Sequence, residues 1–256
     1  RRYPAGRFTV EIVRDIIDAP ATRGYMVDKS SGIGYIELRT FSQKAGHDIE
    51  TEVLSLANQG MNGLILDLRY NGGGLVTQAV EVASKFVPSG AVMHVQGRDG
   101  QKKTLYTAGR RVTDVPIVVL VNEYTASASE IVSGALQDTK VATVVGVPTF
   151  GKGLVQTLFP LSDGSGLAVT TQIYLTAGER AITPDSPIKP DVEVQALTPE
   201  ELEKVKNEQA KRGGPVGPVT AEDLLRIDPA LDPQLRRALE ILTDQIESRG
   251  AGRNAA

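Results

Sequence analysis

Between residues 33 and 147 the hydrophobic period of the chain changes repeatedly, and that alternation constrains the fold more than any other feature. "IGYIELRTF" (33–41) has the length and the β-branched, aromatic content of a strand. Residues 43–59 carry apolar side chains at 49, 53, 54 and 56, one face of a helix, and Gly60 and Gly63 stop it. "GLILDLRY" (63–70) is a second strand, ended by "NGGG". A helix is expected over 75–87, ended by Pro88, and then a two-strand unit, 91–97 and 102–107, around the turn "RDGQ". "PIVVLVN" (116–122) reads as a buried strand, 126–137 as a helix and 141–147 as another strand. Strands and helices in alternation predict an α/β fold in which helices cover a sheet.

After residue 150 the character changes. "GLVQTLFPL" and "GLAVTTQIYLT" flank the turn "SDGSG" and predict a β-hairpin. "TPDSPIKPDVEV" is Pro-rich and reads as irregular. From 198 the chain is polar and helical, opening on Thr198 as an N-cap with Glu201 three residues on. A Gly/Pro linker (213–218) precedes one or two further helices to about 248, and the tail "RGAGRNAA" is expected to be unstructured.

Composition excludes several chemistries. A net charge of −3 lacks the basic footprint of a nucleic-acid binder or of docking on anionic lipid. The absence of Cys removes disulfides, thiolate metal sites and a Cys nucleophile. No apolar run approaches the roughly 20 residues of a membrane-spanning helix. The chain opens "RRYPAGR", without Met, and is expected to be a fragment or a processed form.

Three segments stand out chemically. In "LDLRYNGGG" a strand runs into three glycines before a helix. Their backbone N–H groups can approach an anion or a developing oxyanion closely. The spacing is neither a dinucleotide fingerprint nor a P-loop. In "YTASASEIVSGALQD" two serines, Ser127 and Ser129, lie at a helix start, with Thr125 or its neighbour as the expected cap and Glu130 complementing the dipole. Taken alone, both serines read as capping or small packing residues. In "TFGKGLVQ" a strand would turn Lys152, Leu154 and Gln156 to one face, with Gly151 and Gly153 beside the lysine. A lysine in such an apolar stretch would lose hydration, which lowers its pKa. Moving it from about 10.4 to about 7–8 costs roughly 3–5 kcal/mol, and the neutral amine can act as a general base.

Other arrangements are weak. There is no G-x-S-x-G elbow, and the only S-x-x-K, "SPIK", contains a Pro. No metal-ligand spacing occurs, so no metal or cofactor is expected. His47 lies in what reads as a solvated helix turn, His94 has no catalytic setting, and Asp138 closes a helix, a structural position.

Together, "GYIELRTF", "LILDLRYNGGG", "YTASASEI", "TFGKGLVQ" and "IKPDVEV" resemble, in order and spacing, the C-terminal processing peptidases, or tail-specific proteases, over roughly residues 8 to 195. The resemblance implies a crotonase-like α/β core and a serine endopeptidase with a Ser–Lys dyad, acting through an acyl-enzyme near the C-terminus of protein substrates. It implies Ser127 as nucleophile, Lys152 as general base and Gln156 as the residue orienting the lysine. The backbone N–H groups of Gly73 and Ala128 would then form the oxyanion hole. The family carries a PDZ domain ahead of this core. Here "RFTVEIVRDIIDAPA" resembles only its last strand and linker. The expected division is therefore an arm (1–24), a peptidase core (25–197) and a helical extension (198–256), the last a candidate surface for a second copy or an adaptor. Exported relatives imply a periplasmic or other envelope location.

Three rivals are weighed against this reading. A non-catalytic module binding a peptide or apolar ligand has no use for Ser127, Lys152 and Gln156 together. A crotonase-type acyl-thioester enzyme needs a basic cluster beside "NGGG", and none is seen. A resting fragment would hold Lys152 too far from Ser127 to act.

Overall fold

The computed structural model describes residues 20–198, 200–201, 204 and 231–254. Its elements are β1 (Thr22–Asp28), β2 (Ile33–Leu38), α1 (Ala45–Asn58), β3 (Gly63–Asp67), α2 (Val76–Ser84), β4 (Ala91–Gly97), β5 (Lys102–Tyr106), β6 (Ile117–Val121), α3 (Ala128–Asp138), β7 (Ala142–Gly146), β8 (Leu154–Pro160), β9 (Gly166–Thr176), β10 (Val192–Glu193) and α4 (Pro233–Asn254). One sheet has the order β1-β2-β3-β6-β7-β10, the other β5-β4-β9-β8. From β2 to β10 the larger sheet is parallel, and β1 closes its edge antiparallel.

β2, β3 and β6 are buried at every residue, which is why they read as continuous apolar runs. Alternate residues leave opposite faces. On one face Ile36, Leu64, Leu66 and Val119 meet Ile49 and Val53 of α1, Val82 of α2 and Ile131 of α3. On the other, Ile65, Val118 and Leu120 meet Leu235, Ala238 and Leu242 of α4. Each buried Leu in that second layer contributes about 1.5–3 kcal/mol.

Two strands escape the sequence reading. β1 is a half-exposed edge without clean alternation, and β10 is a two-residue strand inside the Pro-rich segment. The C-terminus also departs from expectation: α4 runs on to Asn254 instead of ending near 248. Arg249 Nη1 donates to the Asp114 carbonyl at 2.7 Å and ties the helix, one turn before its end, to the loop before β6. Thr198 and Glu201 cap each other as expected, with the Thr198 N–H on Glu201 Oε2 at 2.8 Å and the Glu201 N–H on Thr198 Oγ1 at 3.3 Å. The arm up to residue 19 and the Gly/Pro linker lie outside the described residues.

The end of β3 carries a buried ionic network. Asp67 and Arg69 pair at 2.7 Å, and Arg69 Nη1 reaches Asp232 at 2.7 Å and Gln234 at 3.0 Å, both at the start of α4. Burial alone would raise the Asp67 carboxyl, but the Arg69 guanidinium and the Tyr35 hydroxyl hold it below its ordinary value. Burial would likewise lower Arg69, and Asp67 and Asp232 push it well up instead. Tyr35 is pushed well above the usual phenol range, by burial first and by Asp67 second.

A folded carboxyl below the unfolded value of about 3.9 means that the unfolded chain binds more protons in that window. Its stabilisation is complete above about pH 4 and is lost as pH falls through the folded value. Urea midpoints between about pH 2.5 and 5 are expected to fall more steeply for the parent than for Asp67→Asn. Equal slopes would remove Asp67 from the acid response.

Candidate active site

β3, β6 and β7 are adjacent and parallel, so the loops leaving their carboxyl ends converge beyond one edge of the sheet, where open α/β sheets bind ligands. These loops hold "NGGG", "TASAS" and "TFGKG".

Ser127 is the N-cap of α3, at φ 58° and ψ −116°. A non-glycine residue there costs about 1–3 kcal/mol and persists only where its surroundings enforce it. The enforcement is visible. The Ser127 N–H donates to Glu130 Oε2 at 2.9 Å, and the Ala126 N–H donates to the Asn71 carbonyl at 3.0 Å. Ser129 is fully buried, and its hydroxyl donates to the same Asn71 carbonyl at 2.9 Å. Ser127 keeps partial exposure. Thr125 is not the cap: its hydroxyl donates to the Leu68 carbonyl and accepts the Asn122 N–H, binding the loop to β3 instead of to α3.

Gly73 has φ +101°, and a Cβ there would lie 2.8 Å from the Ala126 carbonyl oxygen and from Ser127 Cβ, and 3.0 Å from Ala128 N. Glycine is thus required because the loop presses on the Ser127–Ala128 peptide. The Gly73 N–H itself donates to Asn71 Oδ1 at 2.9 Å, while Asn71 Nδ2 donates to the Leu38 carbonyl. In this arrangement one of the two expected oxyanion donors is already engaged within its own loop.

The lysine segment is held from both sides. Cβ atoms at Gly151 and Gly153 would strike the carbonyls of Thr183 and Ile182 at 2.3 and 2.0 Å. Glu130, fully buried, accepts from Thr149 Oγ1 (2.5 Å) and the Gly151 N–H (2.7 Å) at Oε1. It accepts from the Lys152 N–H at Oε2, at 2.8 Å. That oxygen also holds the Ser127 N–H, so the backbones of Ser127 and Lys152 are two hydrogen bonds apart through one carboxylate. The sequence reading gave Glu130 only a dipole role. An acid three residues after a serine N-cap was the available signal, but its partners at 149–152 are 19 to 22 residues away.

Lys152 is not desolvated as expected: its side chain is exposed, as are Leu154 and Gln156. Lys152 lies just before β8, the edge strand of the second sheet, and Leu154 and Gln156 lie on it. A register shift between Val155 and Gln156 interrupts the alternation there, so Gln156 pairs with Thr170 while Val155 packs on the core. The structure therefore brings Gly73, Ser127, Ala128 and the Lys152 backbone together, and leaves the Lys152 and Gln156 side chains in solvent.

His94 lies apart on β4, against Thr104 and the Ala177 carbonyl. Asp138 holds Arg180 and the Gly178 N–H, a structural role. Among the described residues no group of three or more His, Asp or Glu side chains is placed to hold a metal ion, and no helix is long and apolar enough to cross a membrane.

The chain matches peptidase family S41 over residues 32–194. A carboxyl-terminal-processing protease of Synechocystis sp. is 43% identical over 64% of this chain and 39% of that protein. A carboxy-terminal-processing protease of Bartonella bacilliformis is 35% identical over 93% of this chain and 57% of its own length. Among solved structures, a photosystem II D1 C-terminal processing protease superposes with a TM-score of 0.64 at 35% identity, over 71% of this chain and 50% of that one. The chain thus spans about half the length of these relatives.

Proposed function

The chain belongs to peptidase family S41, and from that premise we propose that it is a serine endopeptidase cutting protein substrates near their carboxyl terminus through Ser127 and Lys152. Ser127 Oγ attacks the scissile carbonyl while Lys152 Nζ takes its proton and passes it to the leaving amine. The acyl-enzyme is then hydrolysed by water. Gly73 and Ala128 N–H groups face the oxyanion, where loss of one donor typically costs about 10²–10³ in rate. Gln156, four residues along from the base, orients it. The observation that carries this reading is Glu130, whose single oxygen Oε2 binds the backbones of both Ser127 and Lys152. The burial of Ser129 supports Ser127 as the nucleophile. On this reading residues 25–197 are the peptidase core and 198–256 its helical extension, and the protein acts in an envelope compartment after export.

A second reading concerns state. The Gly73 N–H is held by Asn71 Oδ1 and Lys152 is exposed, which favours a resting arrangement. Catalysis would then need the Asn71 side chain to release Gly73, and the β8 edge to be covered so that Lys152 turns inward over Ser127.

Hydrolysis of casein across pH 6–10, by the parent, Ser127→Ala and Lys152→Ala, tests the dyad. The expected result is a rate rising with pH in the parent and a loss of at least about 10³ in both variants. Undiminished hydrolysis by Ser127→Ala would refute the assignment. A fluorophosphonate probe separates the states: an active parent is labelled at Ser127, and a resting one is labelled only once substrate or a partner is added.

A further inference from the structure

Each of the three loops that presents a candidate catalytic group also presents an exposed aromatic ring. Tyr70 stands three residues before Gly73, Tyr124 three before Ser127 and Phe150 two before Lys152. Their exposures are 38%, 58% and 58%.

Tyr70 and Tyr124 are stacked, with centroids 5.5 Å apart and planes 19° from parallel. The pair is fixed from below. Both backbone N–H groups donate to one buried atom, Asn122 Oδ1, at 3.0 and 3.2 Å. Tyr70 sits at φ 60°, between buried Arg69 and buried Asn71, so its ring is turned outward by a backbone that its neighbours hold. The Phe150 N–H donates to the Thr125 carbonyl, which sets the third ring on the residue following Tyr124. The pair lies beside the strained nucleophile loop: Asn71, which follows Tyr70, accepts the Ala126 N–H through its carbonyl.

We propose that the stacked Tyr70–Tyr124 pair is a specificity platform that selects a large apolar side chain of the substrate next to the scissile bond; this rests on the peptidase reading. A rigid aromatic face gives up little conformational freedom on binding, and it offers apolar area and edge or face contacts to an aromatic or branched aliphatic group. Polar and small side chains gain neither. Tyr124 is the more exposed ring of the pair, so it is the one offered to a substrate side chain.

The test uses matched peptides that differ only in Phe or Gly at each position flanking the cleaved bond. At one position the parent is expected to prefer Phe by on the order of tenfold in kcat/KM. Tyr124→Ala should abolish that preference, mainly through KM, and Tyr124→Phe should retain it. Equal losses on both peptides in Tyr124→Ala would overturn the platform and make Tyr124 a loop support. A second measurement does not depend on cleavage. The chain contains no Trp, so tyrosine-to-Trp energy transfer reads the binding of a Trp-bearing peptide to Ser127→Ala. Adding Tyr124→Ala should weaken that Kd about tenfold. An unchanged Kd sinks the platform whether or not the parent cleaves. A weakened Kd with no cleavage by the parent, and no fluorophosphonate labelling of Ser127 even with the peptide present, keeps the platform and refutes the Ser127–Lys152 reading instead.

Discussion

Glu130→Ala is expected to lower stability by about 3–5 kcal/mol and peptidase rate by at least about 10²-fold. Among the described residues no cation pairs with this buried carboxylate, and four donors converge on it: the Ser127, Gly151 and Lys152 N–H groups and the Thr149 hydroxyl. It also lies in the first turn of α3, where the helix dipole favours negative charge. Removing it strands several buried donors, each worth about 1–3 kcal/mol when left unpaired. It also releases the Ser127 backbone from φ 58° and the Lys152 backbone from its place beside it. Glu130 touches no substrate on this account. It is a positioning residue, so kcat should fall with KM little changed. Glu130→Gln separates the two roles. The amide oxygen can take the place of Oε2 and keep the bonds to Ser127 and Lys152. The amide nitrogen then faces Thr149, whose hydroxyl can rotate to accept, and only the Gly151 N–H is stranded. The Gln variant should therefore melt lower than the parent by the equivalent of about 1–3 kcal/mol, yet keep its rate within about tenfold. A folded Glu130→Ala protein with parental kcat would refute the positioning role.

Much of this arrangement was legible in the sequence, for reasons that differ from part to part. β2, β3, β6 and α1 were recoverable because both faces of the larger sheet are covered, so strand burial leaves an unbroken apolar run and helix burial a 3.6-residue period. β1 and β10 were not, because edge strands need no such pattern. The glycines of "NGGG" drew attention as a functional run, yet two of them have a packing reason. Gly73 lies against Ser127, and a Cβ on Gly74 would meet the Phe41 carbonyl oxygen at 2.6 Å. Only Gly72 has open space around it. The roles of Ser127 and Lys152 came from the resemblance, since local physics favoured capping serines and a solvated lysine. The exposed Lys152 side chain agrees with that local physics and departs from the expected desolvation. Glu130 was missed because a carboxylate bridging segments some 20 residues apart leaves no trace in the period of either. The α4 start had a readable signal that went unused. In "LDPQL" an Asp precedes a Pro, an N-cap followed by the residue best suited to the first helical position.

That same Asp makes the second large effect. Arg69→Met is expected to lower stability by about 3–5 kcal/mol, a sizeable part of the roughly 5–15 kcal/mol that holds an ordinary domain together. Asp232 works at two places at once. Its Oδ1 accepts the Gln234 and Leu235 N–H groups and caps α4, while its Oδ2 takes Arg69 Nη1 at 2.7 Å. Arg69 in turn grips Asp67 through Nε and Nη2. Two buried carboxylates therefore share one guanidinium, and removing it leaves both uncompensated. Asp232→Asn should be much milder, about 1–2 kcal/mol. Asn still caps a helix, Asp67 still pairs with Arg69, and Gln234 Oε1 remains at 3.0 Å from Nη1. Asp232→Ala, which also loses the cap, should fall between the two. The order Arg69→Met, Asp232→Ala, Asp232→Asn is the discriminating result in urea titration. If Asp232→Ala were as damaging as Arg69→Met while Asp232→Asn stayed mild, the cap and not the shared charge would hold α4. Arg69 also immediately precedes Tyr70 and Asn71, which form the platform and support the Ser127 loop. Undocking α4 should therefore expose its protease-sensitive bonds and lower kcat together, over the same range of denaturant. Two separate transitions would show that α4 and the site fold independently, and the network at the end of β3 would then be a local brace without influence on catalysis.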